Sequence, residues 1–168
     1  MRTKRKEQNQ MRRSLDLARE VQQSLLPSSV PEVAGLDIAG KSIYCEKTGG
    51  DYYDFLNFKN GSSKRVDIII GDVAGHGLPS ALLMITARAL IRLRSSLPGS
   101  ISDIVTDVNH HLSKDTGESG RFMTLFYLSI DLVNKSIKWV RAGHEPAMQF
   151  SMIPMTTPFR NLLVLVFR

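Results

Sequence analysis

The chain has 168 residues, 42% hydrophobic and 23% charged, the balance of one folded domain rather than of a disordered or fibrous protein. Its one cysteine, Cys45, excludes a disulfide framework or a cysteine-based zinc cluster and suits a reducing compartment. No apolar run is long enough to span a bilayer, and the basic, polar N-terminus lacks the apolar segment of a secretory signal, so a cytoplasmic location is expected.

The net charge of +6 is concentrated at the N-terminus. Arg2, Lys4, Arg5, Lys6, Arg12, Arg13 and Arg19 outnumber Glu7, Asp16 and Glu20, and the remainder is nearly balanced. Basic helices can touch nucleic acid or anionic membranes. No aromatic residues interleave these cations, so base stacking has no platform, and neither nucleic acid nor membrane is expected as a partner.

Glu7 to Leu26 reads as a helix, with Met11, Leu15, Ala18, Gln22 and Leu25 on a narrow apolar seam and Val21 and Leu26 beside it. Pro27 ends it. Residues 1–27 are therefore expected to be a connector: either a linker helix that pairs with a second copy, giving a homodimer, or the tail of a signalling coiled coil that follows an upstream domain. Residues 28–150 make the folded domain. Loosely alternating Leu36–Tyr44 and the aromatic run Asp51–Phe58 suggest strands, and Asn60-Gly61 signals a hairpin into the β-branched Val66–Ile70, expected to be buried on both faces. Helices are expected over Ser80–Ser95, opened by Pro79, and over Ser102–Leu112. Strands follow at Phe122–Asp131 and Ser136–Arg141, joined by a turn at Asn134. Strands, two helices, then strands is an α+β order.

Two segments set a carboxylate on glycine-rich backbone: Gly49-Gly50-Asp51-Tyr52-Tyr53-Asp54 and Gly71-Asp72-Val73-Ala74-Gly75-His76-Gly77. Asp72 ends an apolar strand and needs a partner. A hard divalent cation suits it, since Mg²⁺ and Mn²⁺ take carboxylate and carbonyl oxygens. Capping of a turn or helix by each aspartate is the other reading.

These segments resemble the metal-dependent protein phosphatase (PPM) family, in its bacterial sporulation-E and sigma-factor-regulator serine-phosphatase branch. The resemblance runs over about residues 15–150. It is carried in family order by Ala18–Pro27 (AREVQQSLLP), Gly49–Phe55 (GGDYYDF), Gly71–Gly77 (GDVAGHG), Pro79–Met84 (PSALLM), Met123–Tyr127 (MTLFY) and Arg141–Ala147 (RAGHEPA). It implies an αββα sandwich of two mainly antiparallel sheets flanked by helices. It also implies a phosphoserine/phosphothreonine protein phosphatase using a two-metal centre of Mn²⁺ or Mg²⁺, in which an activated water attacks phosphorus. Asp51 and Asp72 become the catalytic, metal-binding carboxylates, with the Val73 main-chain carbonyl a further ligand. Asp54 is structural or supports the ligands from behind. His76 either orients a ligand, donates a proton to the leaving oxygen, or satisfies loop backbone. The implied substrate is a phosphorylated regulator of the anti-anti-sigma kind.

After Phe150 the family pattern stops. Its late aspartates have no counterpart, because residues 151–168 contain no Asp or Glu. The expectation is an apolar tail from a truncation or frame shift near Ser151, with Leu162–Phe167 a self-associating strand and the fold incomplete at its C-terminal end. Two functions follow: the metal-dependent phosphatase, or a catalytically impaired phosphatase-like module that retains binding and dimerisation.

Overall fold

The computed structural model describes residues 2–42, 48–56, 64–117, 119–151 and 161–164. Helix α1 (Arg2–Leu25) leads into an irregular segment, then strands β1 (Tyr52–Leu56) and β2 (Arg65–Val73). Helices α2 (Gly77–Ser95) and α3 (Ile101–Thr116) follow, then β3 (Met123–Asp131), β4 (Ser136–Ala142), β5 (Met148–Ser151) and β6 (Asn161–Val164).

β1 to β4 form one antiparallel sheet in sequence order, and β5 and β6 form a second, two-stranded one. The α+β order expected from the sequence is therefore observed. Strand alternation divides the larger sheet into two faces. One face carries Tyr52, Ile69, Val73, Leu125 and Tyr127 into a core shared with Met84 and Ile91 of α2 and Ile104, Val105 and Val108 of α3. On the other, Phe126, Leu128 and Ile130 pack with Ile68, Leu36, Leu132 and Ala147. β2 is thus covered on both sides, as its β-branched run implied.

The helices start where local chemistry allows. Ser100 and Asp103 form a reciprocal capping box on α3, which begins one residue before the expected Ser102. α2 begins at Gly77, earlier than Ser80, and Pro79 lies in its first turn, where a missing N–H costs nothing. Two expectations change. Of Leu36–Tyr44, the described part forms no strand, only a bridge between Val33 and Leu36, because loose alternation without a pairing neighbour does not build a ladder. Of the expected self-associating strand Leu162–Phe167, Leu162–Val164 falls in β6 (Asn161–Val164), paired with β5 of the same chain, and the rest lies outside the described residues. Cys45 and the Asn60-Gly61 turn lie outside the described residues, although the β1–β2 pairing that the turn was expected to close is present.

The seam of α1 is also placed differently from a simple two-helix contact. Leu15, Ala18 and Leu25 are half-buried, while Gln22 and Leu26 are buried at 1% and 9% exposure. Met11, in the same stripe, stays 64% exposed. The C-terminal half of the stripe is turned to the chain's own domain, because Leu26 joins the helix-side core.

Candidate active site

The two acidic segments meet at one end of the β1–β2 pair. Tyr52 pairs with Gly71, so the next position outward sets Asp51 opposite Asp72. Asp72 in turn pairs with Thr124 of β3. These positions share the face opposite α2 and α3, so Asp51, Asp72 and Thr124 form a row across three adjacent strands.

Close backbone approach makes the row compact. The Val73 N–H donates to the Gly50 carbonyl at 3.3 Å. A Cβ on Gly50 would lie 2.6 Å from the Val73 carbonyl oxygen and 3.0 Å from its nitrogen. Only glycine fits there, which accounts for the second glycine of Gly49-Gly50-Asp51. The turn beyond β2 uses left-handed backbone at Gly75 and Gly77, with φ of 101° and 73°. Between them His76 is the exposed N-cap residue of α2, and its side chain does not cap the helix.

The Asp51 carboxyl is held above its ordinary pKa, first by partial burial, then by the Asp72 charge and a side-chain hydrogen bond with Asp72. Two carboxylates this close repel unless a proton or a cation lies between them. Asp72 itself is exposed, so the pair faces solvent on one side. Thr124 extends the row. Its hydroxyl donates to the Asp72 carbonyl at 3.3 Å and lies 2.8 Å from His144 Nδ1. His144 arrives by the loop after β4, which bridges in parallel between Leu125 and Gly143. Burial lowers the pKa of His144, and Glu145 partly opposes this.

Asp54 plays a different part from Asp51. It is fully buried, and Arg92 of α2 grips both of its oxygens at 2.6 and 2.7 Å. Asp67 is its counterpart at the other end of β2, held by Arg65 at 2.7 Å and by the Tyr127 hydroxyl at 2.8 Å. Both carboxylates are committed to structure, as expected for Asp54. Asp67 was hidden inside the apolar run Val66–Ile70, whereas Thr124 and His144 lie in the motifs Met123–Tyr127 and Arg141–Ala147, which assign them no role, and register and loop return bring them beside Asp72.

Asp51, Asp72 and the Val73 carbonyl are a hard oxygen donor set of the kind that Mg²⁺ and Mn²⁺ take. The raised Asp51 pKa and the glycine-only approach of Gly50 to Val73 fit a cation between the two segments. Among the described residues, no group of three or more His, Cys, Asp or Glu side chains gathers as a metal cluster.

The family model described as Stage II sporulation protein E (SpoIIE) matches residues 62–154, more than half of the chain. The chain belongs to the SpoIIE family. The match takes in Asp72, Thr124 and His144, while Asp51 lies before it. This SpoIIE-family chain is 30% identical over 147 residues to phosphoserine phosphatase RsbU of Bacillus subtilis, covering 86% of itself and 42% of RsbU. It is 31% identical over 143 residues to phosphoserine phosphatase RsbP of the same organism, covering 82% of itself and 34% of RsbP. The chain therefore spans less than half the length of these relatives. Among solved structures, it is similar to the RsbU and RsbW domains of Rv1364c from Mycobacterium tuberculosis, with a TM-score of 0.55 and 25% identity over 65% of this chain and 29% of that one. The PP2C domain of SiaA from Pseudomonas aeruginosa shares the fold at a TM-score of 0.58, with 18% identity over 94% of this chain and 68% of that one. These likenesses agree with the resemblance read from the sequence motifs.

Proposed function

We propose that this SpoIIE-family chain is the phosphatase part of a protein that removes phosphate from phosphoserine or phosphothreonine on a protein substrate. The observation that carries the reading is the juxtaposition of Asp51 and Asp72 on one sheet face, next to the Val73 carbonyl. Asp51, Asp72 and that carbonyl would hold Mn²⁺ or Mg²⁺. A bound metal pair supplies a water of lowered pKa and neutralises charge developing on the phosphoryl group.

The chain's own residues prepare the position. Gly50 lets the two acidic segments close on each other, and the extended backbone of β2 fixes where Asp72 projects. Exposure of Asp72 leaves the approach open to a phosphorylated side chain. Thr124 and His144 flank the pair from β3 and the loop after β4. No side chain is needed as a nucleophile. The substrate class favoured by the motif resemblance is a phosphorylated regulator of the anti-anti-sigma kind. RsbU and RsbP are named phosphoserine phosphatases, which supports the phosphoserine specificity.

A second reading, an impaired phosphatase-like binding module, is favoured by the donor set itself: among the described residues no third His, Cys, Asp or Glu side chain joins Asp51 and Asp72. One experiment separates the two. Phosphate release from a phosphoserine protein is followed with the purified chain, with Mn²⁺ and with chelator. Mn²⁺-dependent release that Asp72→Asn abolishes supports the phosphatase; none at any Mn²⁺ concentration supports the binding module.

A further inference from the structure

α1 is joined to Gly49, two residues before Asp51, by a contact that spans 27 residues of sequence. Gln22 Nε2 donates to the Gly49 carbonyl at 2.6 Å, and the Gly49 N–H donates to Gln22 Oε1 at 3.3 Å. The carboxamide thus serves both backbone groups of Gly49, as a neighbouring strand would. Gln22 is 1% exposed, a burial that is costly for an amide unless both its ends are bonded. An apolar residue would fill the same helix position with less demand on its surroundings.

The residues beyond Gly49 have no slack. Gly50 is buried against Val73, whose N–H donates to the Gly50 carbonyl, and Asp51 follows directly. Fixing the Gly49 backbone therefore fixes the entry of Asp51 into the row. The helix end has independent anchors: Leu26 is in the core, and the Tyr53 hydroxyl donates to the Pro27 carbonyl at 3.3 Å. Gln22 is not required to dock the helix, which frees its amide for the neighbouring loop.

We propose that Gln22 is a positioning residue for the acidic pair: by clamping Gly49 from α1, it sets Asp51 opposite Asp72 in the geometry that holds metal. The proposal rests on the metal reading of that pair given above. A residue that supports a ligand from behind changes metal affinity by about 10- to 100-fold when removed.

The test uses the whole chain in four forms: unaltered, Gln22→Leu, Leu26→Ala and Asp72→Asn. Hydrogen exchange of the segment Gly49–Leu56 is measured without metal, and Mn²⁺ affinity is measured by calorimetry at a temperature where every form is folded. Gln22→Leu keeps the buried volume and removes the clamp; Leu26→Ala loosens the helix end and leaves the clamp. The expected result is faster exchange of the segment and Mn²⁺ binding weakened about tenfold or more in Gln22→Leu, with Leu26→Ala near the unaltered chain in both. Unchanged exchange in Gln22→Leu overturns the clamp. Faster exchange with undiminished Mn²⁺ affinity overturns the positioning role. Equal loss of affinity in Leu26→Ala overturns it too, since general loosening then accounts for the effect. If the unaltered chain shows no Mn²⁺ binding that Asp72→Asn removes, the metal reading itself fails and the positioning role fails with it, while the exchange comparison still decides whether Gln22 holds Gly49.

Discussion

Arg92 on α2 holds Asp54 on β1 by two parallel hydrogen bonds, from Nε at 2.6 Å and Nη2 at 2.7 Å. The Tyr52 hydroxyl and the Phe55 N–H complete the shell of this buried carboxylate at 2.9 Å each. The pair binds the helix layer to the sheet edge and separates the roles of two acids three positions apart. Asp54 is used up within the fold, whereas Asp51 is turned to the other face. Arg92→Ala leaves a buried charge without its cation, and a loss of about 2 kcal/mol is expected, below that of a fully buried pair because the Arg92 side chain is 43% exposed. Urea unfolding measures it. Mn²⁺ affinity of the folded protein should stay close to that of the unaltered chain.

The second buried carboxylate gives a smaller and cleaner number. Tyr127→Phe removes the hydroxyl bonded to Asp67 and leaves Arg65 in place. About 1 kcal/mol of stability should be lost, read as a lower urea midpoint with an unchanged slope. A loss below a few tenths would show that water replaces the hydroxyl without cost.

Much of this arrangement was legible in the sequence, for identifiable reasons. β2 and α2 announce themselves because β-branched residues, a glycine-rich turn and Pro79 succeed one another within a short stretch. Asp51 and Asp72 could be nominated because each stands on glycine-rich backbone. Gln22 shows where periodicity misleads. Its spacing fits a helix–helix seam, but spacing reports which face is covered and not what covers it, and the cover is Gly49. Asp67 was masked by the apolar residues around it, since a buried aspartate differs from a surface one only through partners distant in sequence. Thr124 beside His144 depends on the β2–β3 register and on a loop whose Gly143 takes a φ of 68°, neither of which a local pattern encodes.

Gly50→Ala tests the closeness of the two acidic segments. The added methyl would meet the Val73 backbone, which cannot rotate away as a flexible side chain would. The segments must separate, and the carboxylate row opens with them. Mn²⁺-dependent phosphate release should fall by about tenfold or more, while far-ultraviolet circular dichroism stays that of the parent. Full activity in Gly50→Ala would show that the approach is not needed for the chemistry.

His144 gives a pH signature. Burial holds its folded pKa below the ordinary 6.5, and among the groups facing it the Glu145 carboxylate pulls in the opposite direction. Thr124 accompanies it as a neutral hydrogen-bond partner. Between the folded and ordinary values the unfolded chain binds more protons, so stability increases with pH there. The contribution is complete above pH 6.5 and is lost as pH falls through the lowered folded value. The stability difference between the unaltered chain and His144→Gln should therefore be flat above pH 6.5, change as pH falls from 6.5 to the lowered folded value, and level off below that. Parallel stability curves throughout would show that His144 titrates alike in both states.

Self-association through α1 must use what the domain leaves uncovered. Gln22 and Leu26 are buried, and Leu15 and Ala18 are half-buried, so the helix seam expected from spacing is not free along its length. Met11, Leu17 and Val21 remain 64%, 62% and 58% exposed. Leu17 and Val21 lie four residues apart, hence on one face, rotated away from Gln22. A helix pair built on them would leave the Gln22–Gly49 contact intact, so dimerisation and the acidic pair need not compete for one surface. Sedimentation equilibrium of the unaltered chain should find a dimer, and Leu17→Glu with Val21→Glu should convert it to monomer without changing Mn²⁺ affinity. A dimer that survives both glutamates would place the contact elsewhere, and a chain that is monomeric from the start would leave this helix face without a second copy.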